Sequence, residues 1–178
     1  MKDRLREYIT LAVQVIGVLG VFFGVYKYYS DIEMTRQIEA RKQALSYVER
    51  YGATELRNHR QEALEFWLKH SDVVTHIRKQ GASEDAYRAF FFAALDHDQS
   101  SKTLLNALYA MNNFYDQVAF CRESRVCDEE VIDAYFCENA NIFFTTYDPI
   151  FDSLGQMSGV ADFGRGAREL AKPCASRS

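Results

Sequence analysis

The fold class this sequence predicts is all-α: an N-terminal transmembrane helix that continues into a stalk, followed by a soluble antiparallel helical bundle. Three observations predict it. Residues Tyr8 to Tyr26 run for nineteen positions without a charge. Two prolines and nine glycines are spread over 178 residues, so long stretches carry no turn signal. Between short punctuated breaks, apolar residues recur at spacings of three and four, the period of a helix with one buried face.

A nineteen-residue helix is about 28 Å long, close to the roughly 30 Å hydrocarbon thickness of a bilayer. Signal peptides have shorter apolar regions and a small-residue cleavage site, and the Val25-Tyr26-Lys27-Tyr28-Tyr29 that closes this run offers none. Residues 8–26 are therefore expected to form a retained span behind a short tail at 1–7, with Tyr8 at one headgroup level and Tyr26, Tyr28 and Tyr29 at the other. Lys2, Arg4 and Arg6 with the terminal amine balance Lys27, Arg36, Arg41 and Lys42, so charge does not orient the span. At about 100° per residue, Thr10, Gln14, Gly17, Gly20 and Gly24 share one stripe. Small residues let helix backbones approach, and Gln14 can hydrogen-bond across such an interface. Gln14, Gly17, Gly20 and Gly24 are the expected helix-helix contact in the membrane, with a second copy or another span as partner.

Residues 27–50 contain no Gly or Pro and mix both signs of charge around Ile32, Met34, Ile38, Leu45 and Val48, which reads as a stalk continuing the span. Gly52 breaks it, and Thr54 is the expected cap of a helix whose stripe is Leu56, Ala63, Trp67, Val74 and Ile77. Ser83 caps the next, with Phe90, Phe91, Phe92 and Leu95 apolar nearly all round and so central to the core. A third helix, capped by Ser100 or Ser101, carries Leu104, Leu108, Met111, Tyr115 and Val118. Asp128, followed by Glu129 and Glu130, caps the last long helix, with Ile132, Phe136 and Phe143 on its stripe and Pro149 expected to kink or end it. The bundle thus spans 51–171, and 172–178 is expected to be a loose tail.

Chemistry is sparse. With a net charge of -4 and interleaved signs, the chain has no nucleic-acid footprint. Cys121, Cys127, Cys137 and Cys174 lack zinc-site spacing and read as reduced structural thiols, which tilts the soluble domain towards the cytoplasm; one bridge in an oxidising compartment stays open. His76, the His97-Asp98 pair and Asp116 follow the H…HD…D order of a metal-dependent phosphohydrolase, but "DHDQSS" reads as a helix end and cap. His70 reads as a hydrogen-bonded core histidine and His59 as exposed. "GRG" at 164–166 lacks the strand-to-helix setting of a phosphate loop. Asn139 shares a face with Phe136 and Phe143, and Asn112 and Asn113 lie beside the Leu108-Met111-Tyr115 face, placing a register-fixing amide network between the two long helices. No catalytic residue, cofactor or metal is expected.

The stretches "VIGVLGVFFGVYKYYSDIEMTRQIEARKQALSYV" and "LLNALYAMNNFYDQVAFCRESRVCDEEVIDAYF" resemble a broad bacterial group of small single-pass proteins known only as a domain of unknown function. The Tyr115-Asp116 pair, the following turn and the capped acidic helix start carry the later part of that resemblance, although the turn has no glycine. It implies the architecture, set in a bacterial cytoplasmic membrane, and no reaction. The expected function is that of a membrane-anchored interaction or regulatory protein, oligomeric or an accessory subunit of a membrane complex, its partners the lipid bilayer and itself or another membrane protein. The alternative is a tethered sensor-effector binding a small anionic, nucleotide-like signal.

Overall fold

The computed structural model describes the backbone of residues 2–73, 75, 83–97 and 101–175, and the side chains of residues 17, 19–73, 75, 83–96 and 102–174. The described residues are all-α: α1 (Lys2–Gly52), α2 (Thr54–Lys69), α3 (Glu84–His97), α4 (Ser101–Glu123), α5 (Glu129–Ser158) and α6 (Arg165–Ala175), with no strand among them. The chain divides into two units, Met1–Ala40 and Arg41–Ser178.

The first unit is helical, and its apolar side chains from Leu19 to Tyr29 are exposed, Phe23 by 72% and Tyr26 by 75%. Among the described residues no helix is long and apolar enough to cross a membrane. Of the expected span 8–26, residues 8–16 and 18 have side chains outside the described set.

The second unit begins inside α1. Ala44 and Tyr51 are buried, and Tyr47 and Val48 pack against the same core, a spacing of three, four and seven that puts all four on one face. The last turns of the expected stalk therefore belong to the bundle. Tyr51 sets its ring against Phe114 at 5.6 Å and Phe136 at 5.5 Å. After the Gly52 break, α2 is capped by extended Ala53 without a side-chain hydrogen bond, not by Thr54. Ser83 does cap α3, accepting from the Ala86 amide at 3.4 Å, and Asp128 caps α5, accepting from the Val131 amide at 3.1 Å.

The α4 stripe Leu104, Leu108, Met111, Tyr115 and Val118 is buried throughout, as is Phe91 of α3. Contacts of Arg122 with Asp133, Tyr115 with Phe143 and Tyr109 with Leu154 run in opposite chain directions, so α4 and α5 are antiparallel. The helix α5 does not end at Pro149; it runs on to Ser158 and stops at Gly159, whose φ of 73° is the left-handed cap favoured by glycine. Burial of Phe143, Tyr147, Ile150, Phe151 and Leu154 on one face outweighs a proline cost of about 3 kcal/mol.

All four cysteines are paired, contrary to the reduced-thiol expectation: Cys121 with Cys127 at a Cα separation of 5.2 Å, and Cys137 with Cys174 at 5.8 Å. The α4–α5 turn folds back so that the amides of Val126 and Cys127 both donate to the Cys121 carbonyl at 3.1 Å, bringing the first pair together. Arg125 takes the left-handed conformation there, φ 57°, where a glycine would be unstrained. The second pair forms because α6 extends to Ala175, so the tail expected from Lys172 starts inside a helix.

Candidate functional site

Four residues of α2, Arg60, Ala63, Leu64 and Trp67, recur at intervals of three, four and seven and form one wall of a cavity of about 190 Å³. The opposite wall is α5, whose Asn139, Ile142, Phe143, Thr146 and Tyr147 follow the same period, and Met111 and Tyr115 of α4 contribute with Tyr51. Five aromatic rings thus line one small space, and Arg60 is the only ionised side chain among the residues lining it.

Among the described residues no carboxylate pairs with Arg60. Its Cζ lies 4.0 Å from the centre of the Tyr51 ring, and its Nη2 donates to the Tyr51 carbonyl at 3.2 Å. Its Nε is buried and has no hydrogen-bond partner among the described residues. A guanidinium over an aromatic face keeps its charge at modest desolvation cost and leaves N–H groups for an acceptor. Trp67 Nε1 donates to the Tyr147 hydroxyl at 2.7 Å, and the indole stacks on Tyr87 at 5.8 Å. The Tyr51 and Tyr115 hydroxyls are 3.4 Å apart. Burial pushes Tyr147 up to about 12, against the opposing effect of the Trp67 hydrogen bond. Burial, then Tyr51, pushes Tyr115 well above the usual phenol range. Both stay neutral near pH 7, so the cavity offers hydroxyl hydrogen bonds and one fixed cation, and no tyrosinate nucleophile.

A second polar centre joins α4 to the start of α6. Asn112, 1% exposed, donates to Asp116 at 2.9 Å and accepts from the Gly164 amide at 2.7 Å; Asp116 accepts from the Gly166 amide at 2.8 Å. The Asp116 carboxylate thereby caps the N-terminus of another helix. Burial raises its pKa, and the two hydrogen bonds only partly counter that. "GRG" is the other half of this latch: a Cβ on Gly166 would lie 2.5 Å from the Asp116 backbone, and one on Gly164 2.3 Å from the Phe151 ring.

The residues expected from sequence are distributed as follows. Gly17, Gly20 and Gly24 lie on α1 with open space where a Cβ would stand, and the side chain of Gln14 is outside the described residues. Of the histidine-aspartate order, His76, Asp98 and the side chain of His97 are outside them too, while Asp116 is engaged in the latch. Among the described residues no group of three His, Cys, Asp or Glu is placed to hold a metal ion. His70 is not a satisfied core histidine: it lies at the C-cap of α2 near the Phe66 and Phe90 rings, and its buried Nε2 has no partner among the described residues. His59 is half-buried and meets Glu62 at 3.2 Å. The amide network between the long helices does not form as expected, because Asn112 turns to Gly164, Asn139 donates to Tyr135 of its own helix and Asn113 is exposed. Sequence reasoning missed the cavity, although a lone cation in an otherwise apolar three-four-seven series, Arg60 to Trp67, marks it.

No curated protein and no solved structure matches this chain. A family model matches residues 13–163, which takes in part of α1, the cavity walls and the Asn112–Asp116–Gly164 contact except its last residue. On that match the chain belongs to the family described as domain of unknown function DUF4760.

Proposed function

We propose that this protein is a membrane-anchored helical interaction or regulatory protein, held in the bilayer by residues 8–26 and self-associating there, or docking on another span, through Gln14, Gly17, Gly20 and Gly24. One observation carries the reading: a helix whose consecutive apolar side chains, Val21, Phe22, Phe23, Val25 and Tyr26 among them, are exposed. Water would not tolerate such a run uncovered, and lipid solvates it at no cost. The charge-free length of the segment supports a single span, and the open faces of the three glycines support close helix approach.

The paired cysteines favour the opposite orientation to the one reduced thiols favoured. Disulfides persist in oxidising compartments, which supports a bundle on the outer side of a bacterial cytoplasmic membrane, with Lys2, Arg4 and Arg6 inside. The test is flotation of the full chain with membranes, followed by in-membrane crosslinking and alkylation with a membrane-impermeant thiol reagent. The expected result is a floating, carbonate-resistant, crosslinked species that loses its crosslink in Gly20→Leu and Gly24→Leu, with cysteines labelled from outside only after reduction. A chain that stays in the soluble fraction, or one whose crosslinking ignores both leucines, defeats the reading.

The second reading is a tethered sensor of a small anionic signal. It is favoured by a specific observation, the carboxylate-free Arg60 in an aromatic cavity.

A further inference from the structure

The walls described above restrict what the cavity can hold. At about 190 Å³ it falls below the roughly 300–1,000 Å³ of sites for drug-sized ligands, and a nucleotide exceeds it. It is close to the roughly 150 Å³ apolar cavity known to take up one benzene. The occupant therefore has about one ring and a short arm. The faces of Trp67, Phe143 and Tyr147 favour a planar apolar body, by offset and edge-to-face contact.

Charge restricts it further. Arg60 is the single cation and faces no lining carboxylate, so one negative charge is balanced, whereas a phosphate dianion would leave a second charge unpaired among aromatic and apolar side chains. The planar fork of a guanidinium suits a carboxylate, and Arg60 lines the cavity. Among the described residues no helix N-terminus opens into the lining to add the amides a phosphate uses.

We propose that this cavity binds a small aromatic monocarboxylate, with Arg60 taking the carboxylate and Trp67, Phe143 and Tyr147 enclosing the ring. This rests on the sensor reading and narrows it from an anionic signal of nucleotide type to a one-ring acid. Leu64 and Ile142, both in the lining and both more than half exposed, form the apolar lip over which such a ligand enters.

Trp67 is the only tryptophan in the chain and lines the cavity, so its fluorescence responds to an occupant there. The experiment titrates the full chain in lipid nanodiscs with phenylacetate, its neutral isostere phenylacetamide, and AMP, against empty nanodiscs as blank. Phenylacetate is expected to shift Trp67 emission saturably, phenylacetamide to bind at least about tenfold more weakly, and Arg60→Gln to cost phenylacetate about the same factor while leaving phenylacetamide binding unchanged, which shows that the cavity is intact. Arg60→Lys, which keeps the charge without the fork, falls between. Equal binding of acid and amide, or of acid to wild type and Arg60→Gln, overturns the proposal. A response to AMP alone overturns it while leaving the sensor reading standing, and silence towards every probe up to about 10 mM removes both.

Discussion

Asp116 shows how a side chain suited to catalysis can be committed to architecture. Its carboxylate meets the Gly166 amide and the Asn112 amide group, and Asn112 in turn holds the Gly164 amide, so three hydrogen bonds converge where α6 begins. Asp116→Ala leaves two donors without an acceptor, and a loss of about 1–3 kcal/mol in urea unfolding is expected, read as a lower midpoint at constant slope. An unchanged midpoint would mean the latch contributes nothing. None of this is legible in the sequence, where Asp116 closes an H…HD…D order that reads as a helix end and cap, "GRG" lacks the setting of a phosphate loop, and Asn112 reads as part of an amide network towards α5. The contact joins residues about fifty positions apart through groups that follow no hydrophobic period, and only periodic burial leaves a readable trace. Arg60 is intermediate, since its place on an apolar series is visible in sequence while the rings it faces come from elsewhere in the chain.

Among the elements, apolar periodicity located α3 to α5 and the first part of α2, which ends at Lys69 while its expected stripe runs on to Val74 and Ile77, outside the described residues; capping chemistry placed the starts of α3 and α5 at Ser83 and Asp128. The errors lie where tertiary contact overrides local preference. Pro149, expected to kink or end the helix, does not end it, because the packed face on either side keeps α5 running. The chain past Lys172 is helical as far as Ala175, with Cys174 clipped to Cys137 across 37 residues. In the chain-entropy view a loop of that size stabilises by about 3–4 kcal/mol. Cys137→Ala with Cys174→Ala is therefore expected to lower unfolding free energy by roughly 3 kcal/mol, with hydrogen exchange rising first in α6. Equal stability of the double variant and the parent would show that α6 does not depend on the clip.

For the whole molecule, the buried phenols couple stability to alkaline pH. Tyr147 titrates at about 12 when folded and near 10.0 when unfolded, so between those values the unfolded chain has released a proton that the folded one keeps. Stability contributed by this group is constant below pH 10 and falls as pH rises, by about 2–3 kcal/mol in all, and Tyr115 adds in the same direction. Loss of helical circular dichroism above pH 10 is expected to coincide with the part of the tyrosinate absorbance that Tyr115→Phe and Tyr147→Phe remove. Ionisation of that part while the helical signal stays intact would contradict this. The all-α class, the order of the helices, most of their buried faces and a charge-free stretch near the start of α1 can be read from the chain itself, because each is encoded within a few turns. Tertiary structure alone decided that the end of the expected stalk enters the core, that the four cysteines pair, that Asn112 and Asp116 fasten α6, and that an arginine stands alone among aromatic rings. Each of these depends on side chains dozens of residues apart, whose meeting is set by how the helices pack.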